Sequence, residues 1–551
     1  MKNQNIVSNS IGWFITFFVL LLASAYFSIR LISGIDPFEF DTLIYLVILK
    51  NFISNGHFYT PTVGSEFSSV CNGLFNCQTY PPEINGQMIY SQFAGEYTSG
   101  LILIFFPSII NKLIIYFVPV SYSIKYLIFL YSLSWGILYL LCNVIVIYSA
   151  GFTRINFYKY IALSLLSISL LIHAVSYGII GELYSSTFIS IAVIALFLSD
   201  TNKNKPYFYY ILSLLLGLAL EAKITSIIVV FGVFSLILYR NYLENKKLSG
   251  LFLICFLFIP KLIISIYIYI SLGGDLFDFL RYLKSVSSVY AGNAQTGANW
   301  PKSRIVGILD HLLAGINRVV LITLLLGIIY YIFSIFKSIK EKYNEKYFYL
   351  AAIPLLFMAL IYPFVFRFPY ERIYSPFYVL IPLLFIPLMN NNFICSRRKV
   401  LVNYLIYGSI SSLVVIAYLA KPLKFPIDFN NKRHEVPSFG ANYPDVKFEQ
   451  NTIFVVSDFF GMPWDLYIKT LFDKEYSPFS EYPVYSINSI KKSNLDNFQI
   501  YTLTSCRWGH CYQGKEIKID VNRDLYLKCT LVEPENNNLI YSLYKCLTVS
   551  Y

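Results

Sequence analysis

Long apolar runs separated by short polar stretches set the pattern of this chain. They fall at 11–33, 124–149, 160–180, 184–199, 207–221, 224–239, 250–272, 314–336, 347–366, 375–392 and 400–420. About twenty apolar residues in helical conformation cross the hydrocarbon core of a bilayer, so each run predicts a membrane-spanning helix. The shorter ones cross only with tilt or local thinning. One more run, 99–119, is interrupted by Pro107 and Lys112. Beyond about 421 the pattern changes. Stretches at 452–457, 482–487, 498–504, 515–521, 525–532 and 538–547 predict strands, 463–472 a short helix and 534–538 a hairpin turn. The expected fold class is mainly α. A polytopic membrane domain of about eleven spans, 1–420, precedes a small α/β domain at 421–551.

Charge between the runs orients them. Arg154/Lys159, Lys203/Lys205, Arg240/Lys246/Lys247, Lys337/Lys340/Lys342/Lys346 and Arg397/Arg398/Lys399 occupy every second connection. The positive-inside rule makes these cytoplasmic. The loops at 181–183, 222–223, 273–313 and 367–374 then face outward, as does everything after about 420. With the N-terminus inside, runs 11–33 and 124–149 already supply the two crossings needed before Arg154. Parity therefore makes 99–119 an interfacial or re-entrant helix inside a first outer loop, 34–123. The 11–33 run is too long for the apolar region of a cleaved signal and suits a span.

Composition agrees with this reading. Only 13% of the 551 residues are charged, 56% are hydrophobic and 18% aromatic, against about 25% charged in soluble domains. Mean hydropathy is +0.57. The net charge of +12 is read as facing anionic lipid, with no nucleic-acid partner expected. Cysteines follow the same division. Cys71 and Cys77 lie in the first outer loop, and Cys506, Cys511, Cys529 and Cys546 in the C-terminal domain. Both sets are even, as expected where disulfides form. The last four permit three pairings, which the sequence leaves open. Cys142, Cys255 and Cys395 sit in spans or at the cytoplasmic edge.

Ionisable groups where spans meet the outer face are the candidates for chemistry. Asp36, Glu39, Asp41, Glu83 and Glu96 lie in the first outer loop. Asp41 opens an apolar segment expected to lie along the membrane surface, where an N-cap role alone would account for an Asp. Later come Glu182, Glu221, Lys223, Arg367, Glu371 and Arg372. Lys223 and Glu221 have a plain alternative as hairpin polar residues, and Arg367 and Arg372 as snorkelling residues. His57, His434 and His510 lack partners at metal-binding spacing, so no dedicated metal cage is expected.

Several of these residues fall in an ordered series of motifs: Asp41-x-x-x-Tyr45 followed by Ile53-x-x-Gly56-His-Phe-Tyr, then Gly95-Glu96-Tyr97, Gly181-Glu182-Leu-Tyr184, Gly217-Leu-Ala-Leu-Glu-Ala-Lys223-Ile-Thr225 and Tyr370-Glu371-Arg372-Ile-Tyr374-Ser-Pro376. The series resembles the GT-C superfamily of multi-span glycosyltransferases, of the protein O-mannosyltransferase and lipid A aminoarabinose transferase type, over about residues 10–420. The Pro-Pro that usually follows the family's second acidic residue is replaced here by Thr98-Ser99, and Pro81-Pro82 lies earlier.

The resemblance implies transfer of a hexosyl or pentosyl group from a polyprenyl-phosphate donor to a lipid, glycan or protein acceptor. The site would lie on the outer face of a bacterial cytoplasmic membrane. Asp41 is the implied general base, with Glu96 or Glu182 orienting the acceptor or sharing the proton. Tyr45, Lys223, Arg367 and Arg372 are the implied substrate-binding residues, the cations for the leaving phosphate. A divalent cation, Mg2+ or Mn2+, has a place between carboxylate and donor phosphate. Two other classes also handle lipid-linked sugars: a lipid-linked saccharide transporter or flippase, and an O-antigen-type polymerase or ligase. No internal repeat marks the first. The second usually carries its large outer loop late and rich in Arg, whereas the acidic loop here comes first.

Overall fold

The computed structural model describes residues 10–35, 40–56, 60–63, 77–80, 88–91, 100–120, 122–175, 178–179, 181–199, 204–205, 207–223, 226–245, 250–272, 375, 446–456, 484–486, 497–505, 514–520, 523–532 and 541–551. Runs of helix-compatible apolar residues become helices almost where the hydropathy pattern puts them. They are α1 Ser10–Gly34, α2 Phe40–Asn55, α3 Phe106–Phe117, α4 Ile124–Ser149, α5 Arg154–Val175, α6 Gly181–Leu198, α7 Phe208–Ala222, α8 Ile227–Asn245 and α9 Gly250–Leu272. A π-helical turn, Leu101–Phe105, leads directly into α3. Segments of α1, α4 and α6 are long and apolar enough to cross a membrane, and α7, α8 and α9 add shorter apolar stretches.

Burial separates the centre of the bundle from its rim. Every residue of α6 is buried, enclosed by α4, α5, α7 and α8. By contrast α1 exposes Phe14, Phe17, Phe18 and Leu22, and α9 exposes Leu251, Phe252, Leu262 and Ile263. Apolar outward faces of this kind suit hydrocarbon as solvent. Inside, hydroxyls and amides join the helices, as is usual for spans. Trp135 Nε1 donates to Thr187 Oγ1 (3.1 Å) and Tyr160 OH to Asn143 Oδ1 (2.8 Å), while Asn143 Nδ2 turns back to the Tyr139 carbonyl of its own helix (2.7 Å).

Two expected elements differ. The run at 160–180 starts earlier as helix, because α5 takes in Arg154 and Lys159 at its N-terminal end. Helix α2 is more enclosed than its sequence suggests: Tyr45, Leu46, Val47, Ile48 and Leu49 are successive and all buried. Five consecutive residues point to every side of a helix, so α2 is enclosed by protein there. The 99–119 segment is the outward-facing one. It buries Pro107, Ser108, Ile110 and Asn111 while exposing Ile109, Leu113, Tyr116 and Phe117. Tyr126 OH donates to Asn111 Oδ1 at 2.6 Å and fastens its polar side.

Two sheets complete the described structure. In the first loop, β1 Thr60–Val63, β2 Cys77–Tyr80 and β3 Met88–Ser91 form an antiparallel sheet in the order β1-β3-β2. The other comprises β4 Thr452–Val456, β5 Val484–Ser486, β6 Gln499–Ser505, β7 Glu516–Asp520, β8 Leu525–Leu531 and β9 Tyr541–Ser550, in the order β5-β4-β6-β9-β8-β7. Strands β5, β4 and β6 run parallel and the remaining pairings are antiparallel. Ile517, Ile519, Leu527 and Tyr544 bury one side. Cys529 and Cys546 face each other across β8 and β9 and form a disulfide. Of the expected disulfide residues, Cys77 lies in β2, and Cys71, Cys506 and Cys511 fall outside the described residues. Strand β3 touches β5, so the two sheets meet. The expected spans at 314–336, 347–366, 375–392 and 400–420 and the helix at 463–472 also lie outside, apart from Ser375.

Candidate active site

The N-terminal end of α6 gathers separate stretches of the chain. Gly181 begins the helix, and a Cβ there would collide with the Ala222 carbonyl oxygen at the end of α7. Only a residue without a side chain lets the two helix ends cross this closely. The crossing brings Glu182, in the first turn of α6, to Lys223, the C-cap of α7. Glu182 Oε1 and Lys223 Nζ are 3.4 Å apart. Glu182 is 3% exposed, and Lys223 keeps 20% of its side chain accessible. The second carboxylate oxygen, Oε2, is buried and has no hydrogen-bond partner among the described residues.

Two further contacts bring other motif-bearing segments to the same place. The Ile179 backbone N–H, just before α6, donates to Thr42 Oγ1 at 2.8 Å. This docks the start of α2, where Asp41 is the second helical residue. Ser186, one turn into α6, donates to Ser375 Oγ at 2.9 Å. Ser375 follows Arg372 by three residues in Arg372-Ile-Tyr374-Ser-Pro376. Thr42, Glu182, Lys223 and Ser375 therefore converge on the first turns of one buried helix.

A second carboxylate lies beside them. Glu221, also buried, accepts from the Leu101 N–H (3.0 Å) and the Ile102 N–H (3.2 Å). Those are the first amides of the π turn leading into α3, which carry the positive end of the helix dipole and lack intrahelical acceptors. Held in this way, Glu221 acts as a cap and is poorly placed to take a proton from a substrate.

The opposite end of α6 is different in chemistry. Arg240 donates to the Ser199 carbonyl (2.8 Å), Asn156 to the Leu198 carbonyl (2.9 Å), and the Lys205 N–H to the Ser149 carbonyl (3.0 Å). One end of the bundle thus carries carboxylates with Lys223, and the other carries basic residues.

Of the residues singled out from sequence, Glu182 and Lys223 meet as an ion pair. Asp41 joins them by its helix position, and nothing is described of its side chain. Tyr45 is buried, its carbonyl accepting from Tyr131 OH at 2.9 Å, so a substrate would reach it only from within the bundle. Glu96, Arg367 and Arg372 lie outside the described residues. Among the described residues no group of three or more His, Cys, Asp or Glu side chains comes together that could hold a metal ion. Sequence reading missed the capping role of Glu221 and passed over Lys261, which sits within an apolar run. Comparison with family models, with curated proteins and with solved structures finds no match.

Proposed function

We propose that this protein transfers a glycosyl group from a polyprenyl-phosphate donor to a lipid, glycan or protein acceptor at the outer face of a bacterial cytoplasmic membrane. The observation that carries the reading is the convergence at α6: Thr42 on Ile179, Glu182 on Lys223 and Ser186 on Ser375. Transfer requires an acceptor O–H or N–H to lose its proton as the sugar's anomeric C–O bond breaks, with the electron pair leaving on phosphate. Asp41 takes that proton. Glu182, one oxygen held by Lys223 and the other open, accepts a hydrogen bond from the acceptor and orients it. Lys223 has three donors, so pairing with Glu182 does not by itself occupy it. With Arg367 and Arg372 it neutralises the leaving phosphate.

Charge at the two ends of α6 supports an outer site, because the basic end is expected in the cytoplasm. The contact of β3 with β5 fits an arrangement in which the first loop and the C-terminal domain share one side of the membrane. The test is transfer by protein reconstituted in vesicles, with synthetic polyprenyl-phosphate sugars offered as donors. Loss in Asp41→Asn with insertion intact is the expected result.

One observation favours a second reading, a flippase for lipid-linked saccharide. Lys261 lies at the middle of the 23-residue helix α9 and Glu221 attracts it, and charges within spans recur in transporters. Movement of lipid-linked sugar across the vesicle bilayer without transfer would support that reading over the first.

A further inference from the structure

Helices α7 and α9 touch at Gly217. A Cβ there would run into the Leu257 carbonyl oxygen and reach Pro260 Cδ at 3.0 Å, so glycine permits the close approach. One turn further along both helices stand Glu221 and Lys261, whose charges attract each other. Glu221 is 1% exposed and its carboxylate receives the Leu101 and Ile102 amides. That carboxylate therefore joins α7 to the helix beginning at Leu101, and the Gly217 contact puts Lys261 of α9 on the adjoining turn. A lysine at the centre of a span is costly and persists beside a partner or a polar lumen. A buried carboxylate likewise needs compensating charge as well as hydrogen bonds. The two amides supply hydrogen bonds, and Lys261 supplies the formal charge.

We propose that Lys261 is a positioning residue: its ammonium keeps the Glu221 carboxylate over the first amides of the Leu101 helix and so fixes that helix against α7. The assignment does not rest on glycosyl transfer, and its test measures no transfer. Hydrogen exchange is followed on the full chain in lipid nanodiscs, in the peptide covering 99–106 and in peptides of α4 and α6. Glu221→Gln and Lys261→Met should each speed exchange at 99–106 about tenfold or more, the loss of hydrogen bonds to a charged group, and leave α4 and α6 unchanged. Lys261→Arg should keep the wild-type rate. The proposal is overturned if Lys261→Met matches wild type, if Glu221→Gln has no effect, if the acceleration spreads equally through α4 and α6, or if Lys261→Arg exchanges as fast as Lys261→Met. Should Lys261→Met fail to insert, Lys261→Gln is read by the same criteria.

Discussion

The two oxygens of Glu182 have different surroundings, one facing the Lys223 ammonium at 3.4 Å and the other buried without a described partner. Its place in the first turn of α6 sets it at the positive end of the helix dipole as well as beside Lys223. Removing the cation alone strands the carboxylate. Lys223→Met should lower stability toward the smaller end of the ~3–5 kcal/mol seen for broken buried pairs, since Lys223 is partly accessible. The double variant Glu182→Gln with Lys223→Met should recover part of it, read as a melting temperature in detergent. Glu182→Gln alone should lower kcat about a hundredfold through a misplaced acceptor. In the C-terminal domain the exposed Asp520 is held below its usual range by the Tyr551 hydroxyl and then by Lys518, while the same hydroxyl raises Lys518. A depressed carboxyl stabilises the fold above its unfolded value, and this is lost as pH falls through the folded one. The raised Lys518 stabilises below its unfolded value, and loses that as pH rises through the folded one. Unfolding of this domain should thus show a small plateau at intermediate pH, and Tyr551→Phe should flatten both flanks.

Among the elements, α4, α9 and five of the C-terminal strands match their sequence-based bounds closely, because apolar runs and alternation decide them almost alone. Tertiary enclosure is a different matter. Helix α2 reads as a surface helix from its apolar positions at helical spacing, yet Tyr45–Leu49 are all buried, which no local pattern reveals. The strands β1 to β3, of four residues each, lie amid the Pro, Gly and Asn positions of the first loop and were not expected. Close crossings are legible only as isolated glycines. At Gly181 and Gly217 a Cβ would meet a backbone carbonyl, so Gly181→Ala and Gly217→Ala should each cost about 1–3 kcal/mol, measured as a shift in melting temperature. The sheet has its own tie. The Cys529–Cys546 bridge closes a separation of 17 residues, and Cys529→Ser with Cys546→Ser should destabilise the C-terminal sheet by about 3 kcal/mol.

Across the whole molecule, the site depends on segments far apart in sequence meeting at one end of α6. Residues 42, 182, 223 and 375 were legible as separate motifs, but only the folded bundle joins them through Ile179, Lys223 and Ser186. The proposed orientation also predicts labelling. A membrane-impermeant thiol reagent applied from outside should modify Cys71 and Cys77 only after reduction, and modification from the cytoplasmic side would reverse the topology. The central claim is that the end of the bundle gathering Asp41, Glu182 and Lys223 performs glycosyl transfer. Its most direct test is Asp41→Asn in a vesicle transfer assay, with insertion checked by exchange in α6. Loss of transfer by about 10²-fold or more, as for a missing general base, is predicted; full transfer by a correctly inserted Asp41→Asn protein would contradict the account.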